Sequence, residues 1–112
     1  MKVKDSLEGE VAIIELSGKI VASDELTSFH GRIHYYLSLN KKRFVIDLKD
    51  VEWMSSAGLG ALVSAYTSAN KTGGKLILAN ITNIENLLNI TQLTRVFEIC
   101  DSRTEAVRMA QV

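Results

Sequence analysis

Two serines and two glycines, in Ser55-Ser56-Ala57-Gly58-Leu59-Gly60, form the segment of this chain best placed to do chemistry. Upstream, Phe44-Val45-Ile46-Asp47-Leu48 is a short run suited to a pleated, buried surface and reads as a central strand. Downstream, Leu59, Leu62, Val63 and Tyr66 recur at i, i+3, i+4 and i+7, the apolar stripe of a helix packed on one side. The serines therefore lie where a strand passes into a helix. A hydroxyl there, from Ser55 or Ser56, can cap the helix by accepting from an unpaired backbone N–H, and the positive end of the helix dipole favours an anionic group beside it. Gly58 and Gly60 each cost about 1 kcal/mol relative to alanine inside a helix, so helix stability does not explain them. Bare backbone in that first turn lets another molecule approach closely.

Other residues with chemical potential are less well assembled. His30 and His34 share a helix face at i, i+4, but no third ligand is evident and the His-Glu-x-x-His pattern is missing, so no metal site is expected. Ser56 lacks the Gly-x-Ser-x-Gly elbow and has no assignable histidine base, which argues against a hydrolase. Lys71-Thr72-Gly73-Gly74-Lys75 lacks the spacing of a phosphate-binding loop and reads as a helix-ending turn before a strand. Gly58, Ala61, Ala65 and Ser68 make a small-residue stripe, open to internal packing or to close approach by a partner. Trp53 is expected to close the core beside the serines, the alternative being an exposed contact anchor. Cys100, the lone cysteine, sits beside Ile99 and reads as a small buried residue.

The elements that must position this segment follow from patterning. Val3 to Leu7 and Val11 to Leu16 alternate around Glu8-Gly9-Glu10, the pattern of a hairpin. Ser23 or Asp24 can cap a first helix to about Leu39, with Leu26, Phe29, Ile33, Tyr36 and Leu37 inward. After the central strand and second helix come a strand at Lys75–Ala79, a capping box Thr82-Asn83-Ile84-Glu85 opening a third helix to about Asn89, and a strand at Arg95–Ile99. Asp101 or Ser102 then caps a last helix through Met109. The fold expected is α/β: a mixed, mainly parallel sheet opening with a hairpin, with about four helices packed on it, as one domain over residues 1–112. Thirteen basic residues balance thirteen acidic ones, leaving no bulk electrostatic case for nucleic acid or an anionic membrane. No apolar run is long enough to cross a bilayer and the N-terminus lacks a signal-peptide apolar region, so a cytoplasmic location and no membrane insertion are expected.

The stretch Asp47-Leu48-Lys49-Asp50-Val51-Glu52-Trp53-Met54-Ser55-Ser56-Ala57-Gly58-Leu59-Gly60 resembles the signature of the STAS domain, found in bacterial anti-sigma-factor antagonists, and the resemblance extends over nearly the whole chain. It implies a regulator that is not an enzyme and carries no cofactor. Its partner would be a kinase-like anti-sigma factor, a serine kinase of the histidine-kinase-like ATPase type, that phosphorylates the serine aligned with Ser56. A partner-binding rim of Ser55, Ser56, Ala57, Gly58, Leu59, Gly60, Val21 and Asp24 is implied with it. Ser55 stands where the family pattern has Asp, and Val21, in Leu16-Ser17-Gly18-Lys19-Ile20-Val21, stands where it has an acidic residue. An adaptor role within a signalling complex or transporter assembly is the alternative, with a monomer or weak dimer expected for either.

Overall fold

The computed structural model describes residues 1–21 and 23–112, with only the backbone of residues 23–25. The alternating N-terminal segments pair as an antiparallel hairpin of β1 (Lys2–Glu8) and β2 (Val11–Ile20), turning at Gly9 with φ +61°. The chain continues through α1 (Ser23–Ser38), β3 (Arg43–Met54), α2 (Ser56–Lys71) and β4 (Lys75–Ala79). A 3-10 turn (Thr82–Ile84), α3 (Glu85–Ile90), a second 3-10 turn (Leu93–Arg95), β5 (Glu98–Cys100) and α4 (Arg103–Ala110) complete it. The sheet has order β1-β2-β3-β4-β5, and every pair after the hairpin is parallel. The mixed, mainly parallel sheet expected from the patterning is the one observed.

Parallel strands at the centre of a sheet must be covered on both faces. On one face Phe29 and Ile33 of α1, Leu62 and Ala65 of α2, and Leu88 of α3 bury Ile14, Ile46 and Leu78. On the other, among the described residues, α4 supplies the cover, setting Ala106, Val107 and Ala110 over Val11, Ile13, Val45 and Ile77. Cys100 lies buried in this second layer with its thiol 3.1 Å from the Met109 sulfur, and burial pushes the thiol pKa up.

Three expectations are corrected. Thr82 does not open a capping box: no side chain caps α3, whose entry is a 3-10 turn in which Asn83 donates its amide to the Val51 carbonyl at 2.9 Å. The strand expected from Arg95 begins only at Glu98, because Gln92, at φ +61°, turns the chain into a 3-10 segment and Phe97 is buried edge-on against Tyr66 at 5.3 Å. The central strand does not stop at Leu48 but runs to Met54, paired with the second half of β2.

Tyr36 anchors α1 to the hairpin by donating its hydroxyl to Asp5, and burial followed by this hydrogen bond raises its pKa to about 12. The folded protein therefore holds the phenol proton more tightly than the unfolded chain. Its contribution is intact below pH about 10 and is lost as pH rises towards about 12, where the unfolded tyrosine ionises and the native one resists. Urea unfolding of wild type and Tyr36→Phe across that range is expected to show a steeper alkaline loss in wild type. Parallel curves would exclude the effect.

Candidate functional site

The serine segment is delivered by a two-stranded ribbon. Beyond Asp47 the pairing of β3 with β4 ends, and β3 continues against β2 alone through two register shifts, until Ile20 lies opposite Met54. These irregularities let Leu48, Val51 and Met54, three residues apart, all turn into the core in place of strict alternation. Ser55 prolongs the ribbon by donating its backbone N–H to the Ile20 carbonyl at 2.8 Å.

Ser55 and Ser56 have different surroundings. Ser55, extended at φ −80° and ψ 172°, is the cap: its hydroxyl accepts from Gly58 N–H at 3.2 Å and its carbonyl from Leu59 N–H at 3.1 Å. Ser56 is the first residue of α2, exposed, and its hydroxyl makes no hydrogen bond among the described residues. No acidic side chain sits in the first turn of α2, so the positive end of its dipole is not offset by a carboxylate. The site can thus present a free hydroxyl and accept negative charge on it.

The two glycines also separate. A Cβ on Gly58 would lie 2.5 Å from Met54 Cγ and 3.0 Å from Ile20 Cγ2, so this glycine lets α2 close onto the ribbon. Gly58, Ala61 and Ala65 are buried, which assigns most of the small-residue stripe to internal packing; Leu59 is also in the core. Gly60 is exposed, and a Cβ there would meet nothing within 4 Å. Gly60→Ala is accordingly expected to stabilise the protein by about 1 kcal/mol through helix propensity, read as a shifted midpoint in urea denaturation; a destabilised variant would contradict the open surface.

The outward part of the expected rim is therefore Ser56, Ala57 and Gly60, with Val21, 52% exposed, just after the strand partner of Met54. The side chain of Asp24 lies outside the described residues. Trp53 does not close the core: it is 51% exposed, paired with Lys19 at the end of the ribbon, because the second register shift turns it away from the interior.

A polar network beneath the ribbon escaped the patterning. Asp47, only 7% exposed, accepts from Lys49 N–H at 3.1 Å, Asn80 Nδ2 at 3.0 Å and Arg103 Nε at 3.0 Å, and Arg103 also pairs with Glu15. It fixes the backbone where β3 leaves β4 and ties that point to the start of α4. The sequence signal was a carboxylate inside an apolar strand, which demands partners when buried.

Known proteins share this fold. The STAS domain family model matches residues 3–106. An anti-sigma F factor antagonist of Paenibacillus polymyxa is 26% identical over 106 residues, spanning 91% of this chain and 88% of its own. The anti-sigma-B factor antagonist of Bacillus subtilis (strain 168) is 39% identical over 56 residues, half of each chain. Among solved structures, the protein TM1081 of Thermotoga maritima superposes with TM-score 0.85 at 23% identity, covering 98% of this chain and 95% of its own. Bacillus SpoIIAA superposes in its unphosphorylated form with TM-score 0.77 at 15% identity, covering 95% of this chain and 94% of its own, and in its phosphorylated form with 0.76 at 14%, covering 96% and 98%. With a serine-capped helix carried on a strand ribbon, and a family match over nearly its whole length, this chain belongs to the STAS domain family, alongside relatives that are anti-sigma factor antagonists.

Proposed function

We propose that this protein is a cytoplasmic anti-sigma factor antagonist that docks Ser56, Ala57 and Gly60, flanked by Val21 and Trp53, on a kinase-like anti-sigma factor, and that phosphorylation of Ser56 by that partner ends the complex. Ser55, Gly58 and Leu59 shape the turn from beneath, and the protein itself catalyses nothing. The observation that carries this reading is the division between the serines: the cap occupies Ser55, and the Ser56 hydroxyl, at the helix start, has no hydrogen bond among the described residues. A phosphate there adds about −1.5 to −2 charges near neutral pH, which the helix end tolerates but a buried interface without a cation does not. The near-equal match to both forms of SpoIIAA supports a modification that alters surface charge and leaves the fold in place.

Incubation with the cognate ATP-binding kinase and ATP, followed by intact mass and peptide mapping, is expected to find one phosphate on Ser56. Ser55→Ala should keep that phosphate and Ser56→Ala lose it. An unmodified Ser56 would overturn the switch. The exposed Val21 and Trp53, with an uncharged Ser55 at the cap, favour a second reading, in which the same face is an apolar docking surface of a larger assembly with no phosphate cycle. A stable partner complex with no phosphate on either serine is its expected signature.

A further inference from the structure

Strand β1 forms one edge of the sheet, and among the described residues no strand lies on its outer side. Soluble proteins blunt such edges with short strands, prolines, bulges or charged side chains, and of these devices β1 carries charge, in Lys2, Lys4, Asp5 and Glu8. The opposite edge, β5, has three residues; β1 has seven, pairs with β2 in unbroken register, and belongs to a chain without proline.

The charges along β1 are lopsided, with Lys2 and Lys4 at one end and Glu8 at the other. Two antiparallel copies related by a two-fold axis through Asp5 would set Lys2 opposite Glu8 of the second copy, with Lys4 diagonal to that same glutamate. On the other sheet face Val3 would meet Leu7, which is 45% exposed in the single chain. Asp5 would face its own copy, but each carboxylate is already held by Arg32 (Nε–Oδ1 3.0 Å) and by the Tyr36 hydroxyl. Above the edge, Ser28, Gly31 and Tyr35 of α1 line an open cleft of about 370 Å³ with Asp5 and Arg32, and a Cβ on Gly31 would meet nothing within 4 Å. The cleft leaves space for the α1 helix of a second copy; Tyr35 stands half-exposed on that helix and Leu39 just past its end.

We infer that β1 is a self-association surface whose partner is a second copy of this chain, joined edge to edge into one continuous sheet. The inference is independent of the phosphate switch, since Ser56 follows β3, two strands in from this edge. Both docking turns would remain open, giving a bivalent molecule.

Sedimentation velocity from low micromolar to the highest soluble concentration tests it. Wild type is expected to pass from monomer to dimer. Glu8→Lys alone, and Lys2→Glu with Lys4→Glu, should each weaken self-association by about tenfold or more, because like charges then face one another across the strands. An equimolar mixture of the two variants should restore dimer, with circular dichroism verifying that each is folded. A wild type that stays monomeric, a dimer indifferent to Glu8→Lys, or a mixture that fails to associate would each overturn the proposal.

Discussion

Ser56→Asp is expected to weaken binding to the anti-sigma factor about 100-fold or more, equivalent to about 3 kcal/mol, while raising the stability of the isolated protein slightly. The opposite signs have one origin. At the first position of α2 a carboxylate meets unpaired N–H groups and the positive helix end, with no acidic neighbour in that turn, which is worth about 0.3–1 kcal/mol. In the proposed docking, a partner that covers the turn without placing a cation there strips the same charge of its water uncompensated. Ser56→Ala removes a hydroxyl that caps nothing, so it should bind as wild type does and fold with little change. Gly60→Ala supplies a steric counterpart: more stable alone, weaker with the partner, because its methyl group projects from an open surface. Calorimetric titration of the partner with each variant, beside urea denaturation of the same proteins, separates the two quantities. Equal affinities for Ser56→Asp and Ser56→Ala would remove Ser56 from the interface.

Much of the site's placement was legible because it depends on local rules. The apolar run before the serines and the i, i+3, i+4 spacing after them specify a strand and a helix, and the inward residues Leu26, Phe29, Ile33 and Tyr36 of α1 followed from the same periodicity. Sequence could not decide which serine caps, since Ser55 and Ser56 are chemically alike and one backbone bond, Ser55 N–H to Ile20, sets the register. The exposure of Trp53 was hidden for a related reason. Alternation predicts facing only in a regular ladder, and two register shifts between β2 and β3 break it. The Asp47 network joins residues from β2, β3, α4 and the Asn80 position after β4, a convergence that only the assembled sheet creates.

The glycine pair after α2 shows how one residue type answers two separate demands, and it carries the largest expected loss of stability. Gly73, at φ +79°, turns the chain out of the helix in a conformation that side chains rarely adopt. Gly74 has no such dihedral; its requirement is steric. A Cβ there would fall on the Lys42 carbonyl oxygen, with the Lys42 carbonyl carbon and Cβ both at 2.8 Å, and this carbonyl accepts from Lys75 N–H where β4 begins pairing with β3. Backbone cannot swing aside as a side-chain tip can, so Gly74→Ala must part the two strands at their first bond. The overpacking and the broken hydrogen bond together are expected to cost about 3 kcal/mol or more. For a domain of this size that lowers the melting temperature by about 10 °C or more. Gly73→Ala should cost nearer 1 kcal/mol, the penalty of a left-handed alanine. Thermal and urea unfolding of the two variants side by side measures the difference. If Gly74→Ala fell within about 0.5 kcal/mol of wild type, the range of an ordinary surface substitution, the close approach of Lys42 to Gly74 would not exist in the folded protein.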